Sequence, residues 1–168
     1  MHRKFTSATD FAVCGVDYRH QALAGDPGEV TFLVITDSAS LADDRVEGCN
    51  SLLRRTGDGW LGDVAVATLD REFAAAPGPF AWWMDVEGAT EQVLTGAGTF
   101  LDRCDLLKIE VEQTPFWQDQ WLAADVVKKL GSGLEPFARD TQTEDQHNVL
   151  FARKRFLPAD FDPAKGLA

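Results

Sequence analysis

The stretch Phe80–Leu94, FAWWMDVEGATEQVL, decides how the fold of this chain is interpreted. It opens with five apolar residues, Phe80–Met84, a run of strand length that favours burial on both faces of a sheet. Two carboxylates and a glycine follow directly, as Asp85, Glu87 and Gly88. Because glycine allows the backbone to turn sharply, the pattern predicts a buried strand that ends in a polar site and continues into a helix.

The composition limits the classes of protein to consider. The chain has 168 residues, 45 % hydrophobic and 26 % charged, as expected for one ordinary globular domain with its own core. Its formal net charge of −11 argues against nucleic acid and against an anionic membrane surface as partners. No apolar stretch reaches the length of about 18 residues that a membrane span needs.

The cysteine pattern indicates a reducing environment. Cys14, Cys49 and Cys104 lie far apart and form no C-x-x-C pair, so neither a zinc knuckle nor a disulfide framework is expected. The basic residues that follow Met1 precede no apolar signal segment. We therefore expect a cytoplasmic protein.

Helical and strand periodicities after Phe80–Met84 predict a parallel sheet. Apolar residues at helical spacing predict a helix over Thr90–Asp102, and Asp105–Gln113 is typical of a second strand. A strand, a helix and a strand in this order imply parallel pairing with a right-handed crossover. Further strands are predicted at Glu29–Ile35, Val64–Asp70 and His147–Phe156, a further helix at Phe116–Gly133, and a helix N-cap at Asp70.

Carboxylates are expected to meet at one end of the predicted parallel strands. Asp85 and Glu87 follow the first strand, and Glu110 and Glu112 close the second. Ligands in open α/β sheets bind beyond the carboxyl ends of the strands, so this rim is the predicted site. The same group could bind Mg²⁺, but no histidine or second acidic motif supports that interpretation, and we expect no metal.

Each of these residues also has a structural explanation. Asp85 and Glu87 fit a solvated turn as well as a site, and Glu110 and Glu112 are more often structural than catalytic at such positions. His147 and Asn148 open a strand near the same rim, where local hydrogen bonds would suffice to explain them. The pair Trp82–Trp83 is expected in the core.

Several segments taken together resemble FkbM-type S-adenosylmethionine-dependent methyltransferases. The resemblance extends from about His20 to Lys154, and its most specific part is DVEGA followed by VLTGA. The segments are, in chain order, NSLL (50–53), VAVATLDREF (64–73), MDVEGATEQVLTGAGTFL (84–101), DLLKIEVE (105–112) and HNVLFARK (147–154). The resemblance implies an α/β, Rossmann-like class I methyltransferase fold, with S-adenosylmethionine as cofactor and O-methylation of a sugar, polyketide or other small-metabolite hydroxyl.

One part of the family pattern is missing from the sequence. The family holds its cofactor mainly with a glycine-rich loop after the first strand, and no glycine cluster here lies between a strand and a helix. We therefore expect an incomplete fold that lacks the first strands, with a truncated domain over residues 1–157 and an extension over 158–168. An exposed sheet edge would follow, and with it a homo-oligomer or a complementing chain.

The resemblance also suggests roles for individual residues. Asp85 and Glu87 are the candidates for the general base, and Asp85 and Gly88 for contact with the cofactor. The residues assigned to a small-molecule substrate are Asn50, Glu110, Glu112, His147 and Asn148. A non-catalytic relative or fragment that serves as a binding module remains the alternative, because the cofactor loop is missing, and a metal-dependent hydrolase is a distant third.

Overall fold

The computed structural model describes residues 19, 21–34, 51–53, 60–131, 133–141 and 143–163. Its strands are β1 (Ala22–Leu23), β2 (Gly28–Val34), β3 (Trp60–Ala67), β4 (Phe80–Met84), β5 (Cys104–Glu112), β6 (Glu135–Thr141) and β7 (Gln146–Ala152). Its α-helices are α1 (Leu69–Glu72), α2 (Thr90–Thr95), α3 (Gly98–Asp102) and α4 (Ala123–Leu130), and a 3₁₀ turn covers Lys154–Phe156. None of the helices in these ranges has the length and apolar character required to cross a bilayer.

Two sheets form the described part of the molecule. The larger has the order β4-β5-β7-β6, with β4 parallel to β5 and the other pairs antiparallel. The parallel pairing of β4 and β5, joined through α2 and α3, confirms the predicted strand–helix–strand unit. In the smaller sheet, β3 lies between β1 and β2. The architecture is thus mixed α/β, as the sequence predicts.

The core lies between the larger sheet and the helices. Alternate residues of β5 point to this side and pack against α2, α3 and α4. Phe80 stacks on Phe100 at 4.7 Å between ring centroids, and Trp82 meets the same ring edge-on at 5.4 Å. The largest fully buried side chains include Phe151, Met84, Leu94, Leu107, Ile109, Val93, Val111 and Val126.

The opposite face of the larger sheet carries apolar side chains that are exposed. Trp83 is 68 % exposed and Leu106 is 44 % exposed. The Lys108 ammonium lies over the Trp83 ring, 4.8 Å from its centroid. The expectation that Phe80–Met84 is buried on both faces, with Trp83 in the core, is therefore wrong, because the described helices cover only one face of the sheet.

The predicted helix over Thr90–Asp102 is two short helices. Gly96 ends α2, and a Cβ atom at that position would lie 2.1 Å from the carbonyl oxygen of Ala24. The chain after β1 therefore presses against the middle of the predicted helix, and the helical path is interrupted there.

Three other predicted boundaries change. The strand expected at Val64–Asp70 is β3, which begins at Trp60 and ends at Ala67. The helix expected from Phe116 begins only at Ala123, because the preceding residues are held by a side chain described below. The last strand ends at Ala152, where Arg153 turns the chain into the 3₁₀ segment.

Asp70, predicted as the N-cap of the helix that starts near it, instead accepts hydrogen bonds from the first turn of α3. Thr68 is the N-cap of α1, and its hydroxyl accepts a hydrogen bond from the Arg71 N–H. Asp70 instead accepts hydrogen bonds from the N–H groups of Thr99 (3.2 Å) and Phe100 (2.7 Å) in the first turn of α3. This carboxylate therefore ties α1 to α3.

Candidate functional site

The backbone after β4 makes a sharp left-handed turn. Glu87 and Gly88 have φ values of 47° and 81°. A Cβ atom on residue 88 would lie 2.4 Å from Cδ1 of Trp117, a buried side chain. Glycine is therefore required here both by the backbone conformation and by the close approach of the indole.

Ser51 fixes the same turn from a distant part of the chain. Its buried hydroxyl donates to the Glu87 carbonyl oxygen at 2.5 Å and accepts from the Leu53 N–H at 3.0 Å. The sequence analysis missed this residue, although it lies within the NSLL segment that supports the family resemblance. The neighbouring substrate candidate, Asn50, lies outside the described residues.

Three carboxylates converge at the carboxyl ends of β4 and β5. One oxygen from each of Asp85, Glu87 and Glu110 lies within 4.8 Å of the others. Asp85 is in contact with solvent, and the other two are partly buried. Gln146 on β7 donates from Nε2 to Glu110 Oε1 at 2.7 Å, which orients that carboxylate. The structure thus brings together three of the four acidic residues singled out in the sequence.

Glu112, the fourth acidic residue, lies beneath the rim. It is 3 % exposed and accepts a hydrogen bond of 3.1 Å from Gln120 Nε2. Burial, and then the negative charges of Glu110 and Asp85, raise the pKa of the Glu112 carboxyl to about 7. Its depth places it behind the surface of the site.

Gln120 also organises the loop above Glu112. Its Oε1 accepts from the N–H groups of Phe116 and Trp117, each at 2.6 Å. This side chain therefore holds residues 116–117 out of the helix predicted for them. It also places the Trp117 indole against Gly88, so the loop after β5 is tied to the turn after β4.

The carboxyl group of Asp85 is partly desolvated. Protein atoms crowd its carboxyl even though the side chain touches solvent, and the resulting desolvation raises the pKa of Asp85 above its usual value. A carboxylate with a raised pKa binds a proton more strongly, which suits a general base.

His147 and Asn148 lie on opposite faces of the larger sheet. Asn148 is opposite Glu110 in the antiparallel register, and His147 is opposite Val111 on the core side. Both side chains are buried. Within the described part of the chain, neither Asn148 Oδ1 nor His147 Nδ1 has a hydrogen-bond partner. Of the two, Asn148 therefore shares a face with the carboxylate cluster.

Comparison with family models identifies the family of this chain. A mixed α/β chain with an acidic rim at the ends of parallel strands is consistent with a methyltransferase-like fold. The family model of the methyltransferase FkbM domain matches residues 15–142, which is most of the chain. The chain therefore belongs to the FkbM methyltransferase domain family. Searches of curated proteins and of solved structures returned no match.

Proposed function

We propose that this chain is an S-adenosylmethionine-dependent methyltransferase that methylates a hydroxyl group of a small metabolite, such as a sugar or a polyketide. The supporting observation is the acidic rim at the carboxyl ends of the parallel strands β4 and β5, in a chain of the FkbM family. In open α/β sheets this end is where ligands bind.

The charges of the rim suit the proposed cofactor. S-adenosylmethionine, when bound, supplies a methyl group carried on a positively charged sulfonium. Asp85 and Glu87 offer negative charge at the turn after β4, and Glu110 adds a third carboxylate from β5. The Trp117 indole occupies the space where a Gly88 side chain would lie, so Gly88 would contact the cofactor through its backbone groups. We assign cofactor contact to Asp85 and Gly88.

Asp85 is the proposed general base. It directly follows Met84, the last residue of β4, and it contacts solvent, from which an acceptor would arrive. Its carboxylate accepts the proton of the acceptor hydroxyl, which makes the hydroxyl oxygen a better nucleophile. The rigid β4–β5 pair holds the base in place relative to Glu110, which orients the acceptor.

Calorimetric titration of the purified chain with S-adenosylmethionine tests the cofactor assignment. We expect micromolar binding that weakens in Asp85→Asn and is unchanged in Asp102→Asn, which removes the same charge from an exposed site on α3. Absence of binding from a chain shown to be folded by circular dichroism would contradict the proposal that this chain holds the cofactor on its own.

Transfer of a radiolabelled methyl group to a panel of sugars and hydroxylated polyketides tests the chemistry. Once an acceptor is found, Asp85→Asn is expected to lower kcat by about 10²-fold or more, the usual contribution of a general base. Asp102→Asn is the matched control. Unchanged turnover in Asp85→Asn would remove Asp85 from this role.

The exposed apolar face of the larger sheet supports a second candidate, a non-catalytic interaction module. Trp83 and Leu106 present an apolar patch beside β4, and no second strand pairs with β4 within the described ranges. Self-association in sedimentation that Trp83→Glu abolishes, in a chain that binds no S-adenosylmethionine, would favour this candidate. A monomer that binds the cofactor would exclude it.

A further inference from the structure

The carboxylate cluster at the ends of β4 and β5 has the ligand chemistry of a hard cation site. Asp85, Glu87 and Glu110 each contribute one oxygen, and all three oxygens lie within 4.8 Å of one another. Calcium and magnesium prefer oxygen ligands, with carboxylates foremost.

A buried and unpartnered oxygen beside the cluster is the second, independent observation. Asn148 is 3 % exposed, and its Oδ1 has no hydrogen-bond partner among the described residues. Asn148 is directly opposite Glu110 in the β5–β7 register. Side chains at such positions project from the same face, with Cβ atoms about 5 Å apart. A buried acceptor without a donor is destabilising, and a cation would satisfy it.

The surrounding residues hold this geometry in place. Gln146 orients Glu110 through the 2.7 Å hydrogen bond from Nε2, and Ser51 anchors the carbonyl of Glu87.

We propose that Asp85, Glu87, Glu110 and the amide oxygen of Asn148 bind one hard divalent cation. The three carboxylate oxygens all lie within 4.8 Å of one another, close enough to share one ion. Ca²⁺ takes about six to eight oxygen ligands in flexible geometry, whereas Mg²⁺ demands near-ideal octahedral geometry and keeps several waters. Because all four proposed ligands are protein oxygens, we expect Ca²⁺ to bind more tightly than Mg²⁺.

This cation site does not depend on the proposed methyl transfer. Its ligands are side chains of this chain, and ion binding can be measured without cofactor or acceptor. If both inferences hold, the ion and the sulfonium of the cofactor are attracted by the same carboxylates, so saturating Ca²⁺ is expected to weaken S-adenosylmethionine binding. If methyl transfer fails and ion binding succeeds, only the proposed function is overturned, and the reverse outcome overturns only the cation site.

The test uses the purified chain, stripped with a chelator and dialysed, and titrated with CaCl₂ or MgCl₂ at constant ionic strength in a calorimeter. We expect one Ca²⁺ per chain and at least tenfold weaker binding of Mg²⁺. The midpoint temperature of thermal unfolding should rise with added Ca²⁺, since a ligand that binds only the folded state stabilises it. No heat of binding up to about 10 mM Ca²⁺, above the range of even weak calcium modules, would overturn the proposal.

Substitutions distinguish a specific ion site from the general attraction of cations to an acidic protein. Glu110→Gln and Asn148→Leu are expected to weaken Ca²⁺ binding at least tenfold and at least threefold, respectively. Asp102→Asn, with the same charge change as Glu110→Gln, should bind as the parent does. Equal affinities in Glu110→Gln and Asp102→Asn would overturn the assignment. If Glu110→Gln does not fold, Asp85→Asn at the solvent-exposed end of the cluster provides the same test.

Discussion

The two ends of the β4–β5 pair differ in how their polar groups are satisfied. At the amino end, the Arg153 guanidinium donates hydrogen bonds to three backbone carbonyls, those of Leu101, Cys104 (2.9 Å) and Gly133 (3.1 Å). Burial raises the pKa of the Cys104 thiol to about 11, so this thiol is a packing group without thiolate chemistry.

The carboxyl end brings acidic side chains together and contains a buried oxygen without a partner among the described residues. Asp85, Glu87 and Glu110 crowd together, Glu112 is buried beneath them, and Asn148 has a buried oxygen without a partner in the described chain. The burial of Glu112 near like charges and the unpaired Asn148 oxygen both cost the folded state stability. Strained residues concentrate at functional sites, and the difference between the two ends therefore supports the proposal that the carboxyl end carries the chemistry while the amino end contributes stability.

Removing the arginine at the amino end is expected to have the largest effect. Arg153→Ala leaves the carbonyls of three separate segments without their donor, and hydrogen bonds from a charged donor contribute about 1.5–3 kcal/mol each. We expect a loss of about 4 kcal/mol in the free energy of unfolding, measured by urea denaturation. Arg155→Ala, which breaks an exposed pair with Asp105, is the control and should cost less than about 1 kcal/mol. Equal losses in the two variants would contradict the conclusion that the three hydrogen bonds of Arg153 stabilise the amino end.

A side chain on Gly88 is the next largest perturbation, now at the carboxyl end. Gly88→Ala adds a Cβ at a φ of 81° and 2.4 Å from Trp117 Cδ1. Backbone strain and overpacking cost about 1–3 kcal/mol each, so we expect a loss of about 3 kcal/mol in urea denaturation. The matched variant is Gly98→Ala in α3, whose Cβ would meet only Asp70 Oδ2 at 3.6 Å. A neutral Gly88→Ala would show that the indole does not hold this turn.

Neutralising Glu112 should raise the free energy of unfolding, whereas the two preceding substitutions lower it. Its pKa is raised from 4.5 to about 7 in the folded state, so its contribution to stability is complete below pH 4.5 and falls as the pH rises to about 7. In Glu112→Gln, whose amide oxygen can still accept from Gln120, we expect a gain on the order of 2 kcal/mol at pH 8 and almost none at pH 4.5. Urea denaturation with a chelator present measures both. Glu144→Gln, at an exposed position, should change the free energy of unfolding little at either pH. If Glu112→Gln is less stable than the parent at pH 8, the buried Glu112 carboxylate is not a cost to the fold.

The central unit of the fold could be predicted because its signals are local. A strand-length apolar run, a glycine turn and a helical repeat predict β4, α2 and the parallel partner β5, which the structure confirms. The meeting of Asp85 and Glu87 with Glu110 also follows, since strand ends in a parallel pair lie together.

The remaining details depend on contacts between distant residues. The interruption of the predicted helix depends on Ala24, which lies far from Gly96 in the sequence. The late start of α4 depends on the Gln120 side chain, which competes for backbone N–H groups. The anchoring of Glu87 by Ser51 has the same character, because a hydroxyl shows no local pattern that identifies its partner.

The smallest expected effect is at Asp70, whose carboxylate is satisfied by hydrogen bonds from the first turn of α3. Burial alone would raise the pKa of its carboxyl, but hydrogen bonds from Phe100 and Thr99 and the charge of Arg103 lower it below 3.8. Its stabilising effect is therefore complete above pH 3.8 and is lost as the pH falls through the folded-state pKa. We expect Asp70→Ala to cost about 1 kcal/mol at pH 7, typical of a lost helix cap, and less at pH 3. Asp102→Ala removes an exposed carboxylate of α3 and is the control. If the cost of Asp70→Ala in urea denaturation does not shrink at pH 3, the ionised carboxylate is not what ties α1 to α3.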